Sequence, residues 1–143
     1  YYSVAIGNVT PDAEYQIVIG RDASIELINS TLTQICEFSW PVEEANGVAI
    51  GNVTTDAGNE IAIGSDGVRI YLINSTCDQK WNYTIGNSVK GVDIGEITSD
   101  PGDEIVAATL ATPSVYVLNS SGNVVWSYST DYTAFSVAIG DVN

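Results

Sequence analysis

Short apolar runs of four to seven residues alternate along this chain with clusters of Gly, Asp, Asn, Ser and Pro. The runs are rich in Val, Ile, Tyr and Trp, side chains that fit a pleated surface, and no segment sustains the apolar spacing of a helix. The pattern predicts strands throughout, and it repeats. Val4-Ala5-Ile6-Gly7-Asn8-Val9-Thr10 returns as Val48-Ala49-Ile50-Gly51-Asn52-Val53-Thr54 and as Val92-Asp93-Ile94-Gly95-Glu96-Ile97-Thr98. It begins again at Val137-Ala138-Ile139-Gly140-Asp141-Val142-Asn143. Gly7, Gly51, Gly95 and Gly140 stand 44, 44 and 45 residues apart. Residues 1–143 therefore read as a single repeat array, with repeats at 4–47, 48–91 and 92–136 and the start of a fourth at 137–143.

Each repeat predicts four strands. The first is the Val-Ala-Ile-Gly run; the second covers residues 16–20, 60–64 and 104–108; the third 25–29, 70–74 and 115–119; the fourth 35–40, 80–85 and 124–129. Because strand side chains alternate, Ile70 and Leu72 share one face while Tyr71 and Ile73 share the other. Both faces are apolar, so the sheet is covered on both sides. Four-stranded sheets stacked on copies of themselves at about 40 to 45 residues each are propeller blades. A β-sandwich offers strands of similar length without that period. The expected fold is all-β: tandem four-stranded antiparallel β-propeller-type blades, three complete plus the first strand of a fourth. Closed propellers use roughly four to eight blades. The open strand edges are thus expected to meet either the remaining blades of a longer propeller or other subunits, in a ring or filament.

Composition narrows the chemistry. Hydrophobic residues make up 45% of the chain, enough for a core. Arg21, Arg69, Lys80 and Lys90 face eighteen acidic residues, a net charge of −14 that repels nucleic acid and anionic membranes and leaves cations and neutral glycans as partners. Histidine is absent, which removes the commonest general base and transition-metal ligand. No apolar run approaches the roughly 18 residues of a membrane-spanning helix. No signal segment stands at Tyr1, so the chain reads as mature or excised. Asn-x-Ser/Thr sequons begin at Asn8, Asn29, Asn52, Asn74, Asn82 and Asn119. Any one of them could be turn composition, but six together predict a glycosylated extracellular protein, secreted or at the cell surface.

The repeat, with Gly140-Asp141-Val142-Asn143 as its fullest opening, resembles the FG-GAP and VCBS families of extracellular propeller repeats. The segment from Val115-Tyr116-Val117-Leu118-Asn119 through Trp126-Ser127-Tyr128 is similar to quinoprotein-type propeller repeats. The first resemblance implies calcium in the loop after the first strand, with oxygen ligands at loop positions one, three, five and nine. By position these are Asn52, Thr54, Asp56 and Glu60 in the second repeat and Glu96, Thr98, Asp100 and Glu104 in the third. The first repeat supplies Asn8, Thr10, Asp12 and Gln16, with a single carboxylate. The other reading makes Asp12, Asp56 and Asp100 Asx-turn residues that accept backbone N–H bonds. Asn8 and Asn52 also open sequons, so each is expected to carry a glycan or a metal, not both.

Cys36 falls where the later repeats place Trp81 and Trp126, while Cys77 lies in the turn before a fourth strand. A disulfide stapling adjacent repeats is one reading, and two free or intermolecularly paired thiols the other. Trp81 and Trp126, followed by Tyr83 and Tyr128, predict packing between blades, with Trp40 or Tyr132 as a sugar-stacking alternative. The function expected from these residues is a non-catalytic extracellular module in cell-surface adhesion or in assembly of a surface layer or filament. The alternatives are a calcium-dependent carbohydrate-binding module and a fragment of a propeller-fold polysaccharide lyase or dehydrogenase. Expected partners are other subunits or blades and glycans, with Ca2+ as the only cofactor suggested.

Overall fold

The computed structural model describes residues 3–141, and among them every element is a strand. In chain order these are β1 (Val4–Gly7), β2 (Gln16–Ile28), β3 (Gln34–Gly51), β4 (Glu60–Ser65), β5 (Arg69–Ile73), β6 (Gln79–Thr84), β7 (Val89–Gly95), β8 (Glu104–Thr109), β9 (Val115–Leu118) and β10 (Val124–Tyr128). All pairings are antiparallel. One sheet runs β1-β2-β3-β4-β5-β6 and the other β10-β9-β8-β7.

The third repeat is a clean four-stranded blade, whereas strands that the pattern separates in the first repeat run on without a break. In β2, residues 16–19 pair with β1 and residues 22–28 pair with β3. Ala23, at φ 56°, marks the corner inside β2 and occupies the place of Val68, φ 72°, which turns β4 into β5. β3 likewise joins the last strand of the first repeat to the first strand of the second, pairing with β2 up to Glu44 and with β4 from Ala45. Gly86, at φ 83°, interrupts the equivalent stretch between β6 and β7, and a new sheet begins there.

The expected opening strand of a fourth repeat forms no ladder at residues 137–141. Those residues nonetheless lie along β7: Ile139 N donates to Asp93 Oδ2 at 2.7 Å, and a Cβ on Gly95 would come within 2.8 Å of Ile139. Val142 and Asn143, the end of the motif that carries the family resemblance, lie outside the described residues. The same seating recurs upstream, with Ile50 against Gly7 and Ile94 against Gly51. Successive first strands therefore lie side by side at a fixed spacing.

The core lies between repeats. Val9, Val18, Ile25, Leu27 and Trp40 of the first repeat bury against Ile61, Ile63, Tyr71 and Ile73 of the second. Val53, Ala62, Ile70 and Leu72 of the second bury against Ile105, Ala107 and Leu118 of the third. Alternate residues of β4 and β5 thus feed two different cores, which is why both strands are apolar on both faces. Each fully buried Ile or Leu contributes about 1.5 to 3 kcal/mol relative to exposure.

Candidate interaction surface

The loop after each first strand is held by one buried side chain. Glu60 Oε2 accepts from Val53 N at 2.9 Å and Thr54 N at 2.8 Å, while its Oε1 accepts from Thr54 Oγ1 at 2.7 Å. Glu104 repeats this on Ile97 N, Thr98 N and Thr98 Oγ1 at 2.9, 2.9 and 2.8 Å. In the first repeat Gln16 Oε1 accepts from Val9 N and Thr10 N at 2.7 and 3.2 Å. A neutral amide therefore does the work of the carboxylates, and satisfying otherwise orphaned loop N–H groups is what the position requires. Burial pushes the Glu104 carboxyl up, but the bonds from Ile97 and Thr98 outweigh it and leave the group below its ordinary value.

This geometry does not suit calcium, which wants six to eight free oxygens. Both carboxylate oxygens of Glu60 and of Glu104 are already occupied by loop donors. Asp56 and Asp100 each donate their backbone N–H to the hydroxyl of Thr54 or Thr98, and the Asp56 carboxylate pairs with Lys80 at 2.5 Å. Among the described residues no three His, Cys, Asp or Glu side chains converge on a point where a metal could sit. Asn52 and Glu96 are exposed, and Asn52 N is taken by Asp103 Oδ2 of the next repeat at 3.1 Å. Asp12 alone follows the Asx-turn expectation: its Oδ1 accepts from Thr10 Oγ1, Gln16 Nε2 and Glu14 N. The Thr10 bond, then the Glu14 bond, hold its pKa below the usual carboxylate value.

Sequence reasoning did not anticipate how the loops of neighbouring repeats are tied to one another. Asn59 donates from N to Val9 O at 2.9 Å and from Nδ2 to Asn8 O at 2.7 Å. One repeat on, Asp103 N donates to Asn52 O at 2.9 Å. The loops consequently form one continuous rim, on which Asp12, Glu14, Asp56 and Asp100 are exposed.

Three of the six sequons also receive a structural account. Asn29 Oδ1 accepts from Thr31 N, Thr31 Oγ1 and Thr33 N. Asn74 does the same with Thr76 and Asp78, and Asn119 with Ser121 N and Asn123 N. In each turn the Asn accepts from the backbone two and four residues on, and at Asn29 and Asn74 the Thr hydroxyl joins it, so turn chemistry is by itself a sufficient reason for the sequon pattern at these places. Asn82 is exposed on β6, and Asn8 Nδ2 donates to Asp12 O at 2.7 Å.

Within that turn the fourth residue has positive φ in every repeat: Leu32 at 61°, Cys77 at 62° and Gly122 at 76°. In the second and third repeats it faces the last strand of the preceding repeat, whereas Leu32 is exposed. Cys77 is disulfide-bonded to Cys36, with Cα atoms 5.9 Å apart. Gly122 lies under Trp81, where a Cβ would come 2.8 Å from the indole, and Trp81 Nε1 donates to Ser120 O at 3.0 Å. Trp40, the sugar-stacking alternative, is buried with Phe38 and Tyr71 at ring centroid distances of 5.6 and 5.3 Å. Tyr132 is exposed.

Solved structures with the same arrangement include BBS1N in complex with ARL6DN, at a TM-score of 0.76 and 14% identity over 96% of this chain and 43% of that one. The RRP9 WD40 repeats align with a TM-score of 0.73 and 17% identity over 94% and 40%. Chaetomium thermophilum Sqt1 bound to the N-terminus of ribosomal protein L10 gives 0.72 and 13% over 92% and 34%. The fold is a β-propeller. The chain spans less than half the length of each of these propellers, and at such identities the likeness speaks for the fold alone. No protein-family model matches the chain, so nothing supports FG-GAP or VCBS membership beyond the propeller itself. No curated protein matches it either.

Two expectations are corrected by this finding. These solved propellers comprise the RRP9 WD40 repeats, one in complex with ARL6DN and one bound to the N-terminus of a ribosomal protein, and none of them is an adhesion or surface-layer module, so the expected extracellular adhesion or assembly function is not upheld. The assignment to the outside of the cell is likewise not upheld, since it leaned in part on the FG-GAP and VCBS resemblance, which no family model supports. Its main support was the sequon count, and the turns at Asn29, Asn74 and Asn119 account for half of that. No helix among the described residues is long and apolar enough to cross a membrane.

Proposed function

We propose that this chain is a non-catalytic propeller module that binds a basic polypeptide segment along the acidic rim of its first-strand loops. The observation that carries the reading is the loop-to-loop hydrogen bonding, Asn59 to Val9 and Asp103 to Asn52, which sets exposed carboxylates of three repeats on one edge. Of the chain's four basic residues, Arg21, Lys80 and Lys90 are already paired, with Glu26, Asp56 and Asp66. The field at the rim is therefore negative and steers cationic partners. The carboxylates that are buried, Glu60 and Glu104, are consumed in holding loops rather than poised for proton transfer. BBS1N and Sqt1 are propellers with protein partners, which is consistent with such a role.

Titration of the protein with a fluorescent Lys/Arg-rich peptide tests the reading by anisotropy. Binding is expected to weaken steeply with added salt and to be lost in the combined variant Asp12→Asn, Glu14→Gln, Asp100→Asn. Equal binding by that variant and the parent would refute it.

A further inference from the structure

Corresponding positions of the three repeats differ in one systematic way. Val9 and Val53, which follow the first strand, are fully buried at 0% exposure, but Ile97 in the same place is 37% exposed. Cys36 is covered by the turn of the second repeat and Trp81 by that of the third, whereas Trp126, their equivalent, is 44% exposed. Trp126 and Ile97, with Val106, Val115 and Ile139, line an open groove of about 480 Å³. It is the face that both interior junctions cover with the next blade, here left uncovered beside a segment, residues 137–141, already seated where a further first strand belongs.

The opposite face of the array differs from the surfaces that enter those junctions. The second and third repeats each insert a tyrosine from the middle of the third strand: Tyr71 stacks on Trp40 with centroids 5.3 Å apart, and Tyr116 packs into the second core. The first repeat has Glu26 at this position, on the side of β2 opposite the buried Ile25 and Leu27, where it accepts a hydrogen bond from Arg21.

We infer that the Trp126 face is a docking surface for one further four-stranded blade of the tyrosine-bearing kind, and that the Glu26–Arg21 pair, with Leu32 in the turn, bars this chain's own first repeat from that place. The occupant presents an apolar or aromatic residue where Tyr71 and Tyr116 stand, together with a turn whose backbone carbonyl accepts from Trp126 Nε1 as Ser120 O accepts from Trp81. A second copy of this chain offers the turn backbone, through Asn29–Thr33, but puts the Leu32 side chain where Trp81 leaves room only for Gly122, and its strand offers Glu26 in place of tyrosine. Seating it would take Glu26 and Arg21 out of water against a groove lined by apolar side chains and the Glu96 carboxylate, and the loss of hydration exceeds what the pair regains. Inward-facing charge of this sort is how sheet faces avoid unwanted partners.

Sedimentation of the whole chain and of the variant Arg21→Ala, Glu26→Tyr, Leu32→Gly tests both halves of the inference. The parent is expected to sediment as a monomer. The variant should shift to head-to-tail oligomers in which acrylamide no longer quenches Trp126, and adding Trp126→Asp should return it to monomer. Parent chains that associate through Trp126 would overturn the role of Glu26. A folded variant that stays monomeric would overturn the docking surface. Should that variant not fold, the whole chain lengthened after Asn143 by a copy of residues 99–136 decides the matter: Trp126 must become shielded, and continued quenching in a folded product sinks the inference.

Discussion

The first and second junctions of this array share one geometry and differ in chemistry. At the first, a cysteine in the fourth strand, Cys36, is bonded covalently to a turn residue, Cys77. At the second, the same two positions hold Trp81 and Gly122, an indole lying over a bare backbone and donating one hydrogen bond to the turn. Both turns reach across in the left-handed conformation and both are braced by an Asn side chain. What the fold demands is a filled contact between strand and turn. A covalent bond fills it with two small side chains, while dispersion fills it with one large one, and the large one requires that its partner have no side chain.

Breaking the bond at the first junction should have the largest effect. Closing a loop of 41 residues lowers the entropy of the unfolded chain by an amount worth about 4 kcal/mol. The double variant Cys36→Ala, Cys77→Ala is expected to lose roughly that in urea unfolding, and a reductant should act on the parent but not on the variant. The second junction is more sensitive to bulk. Gly122→Val combines a positive φ with contact to Trp81 and is expected to cost about 2 to 4 kcal/mol, with Trp81 emission shifting red. Cys77→Gly tests the converse under reducing conditions, because the first junction lacks an indole to cover the glycine.

Smaller changes separate the loops. Glu104→Ala strands three donors and is expected to cost about 1 to 3 kcal/mol, whereas Glu104→Gln, which copies Gln16, should cost less and abolish the acid sensitivity of that loop. Neither Ca2+ nor EDTA is expected to move the melting midpoint of the parent. The smallest effect belongs to Asp66, whose pKa is pulled down to about 2 by hydrogen bonds from Lys90, then Ser88, then Asn46. Its folded value lies below the ordinary 3.8, so its contribution is complete above that value and disappears as pH falls toward 2. The carboxylate is half exposed, which limits the effect to less than about 1 kcal/mol, and Asp66→Asn should flatten this part of the pH profile.

The blade period, the four strands and the double-sided burial of Ile70 to Ile73 were legible because each is a periodicity, and periodicity survives in one dimension. So was the equivalence of Cys36 with Trp81 and Trp126, though not which thiol pairing follows from it. The running-on of β2 and β3 was not legible, since Ala23 has no turn signature of the kind that Gly86 or Asp66-Gly67 carries. The loop spacing at Asp56 and Glu60 was read through its family resemblance as a ligand set. A carboxylate that accepts from backbone and one that binds an ion occupy the same sequence position, and only the direction of the side chain separates them. The sequons misled for a related reason, because Asn-x-Thr serves a turn and a glycan equally well.

The loop-to-loop bonds have a consequence for how the array comes apart. The second repeat is clamped from both sides, by Asn59 reaching back to Asn8 and Val9 and by Asp103 reaching back to Asn52, while the third is clamped only on its inner side by described neighbours beyond residues 137–141. In a stack whose stability is a sum of unit and nearest-neighbour terms, fraying starts where neighbours are fewest. Amide exchange should accordingly be slowest in β4 and β5 and fastest in β10, so that the molecule holds a protected middle between edges that open and close on their own.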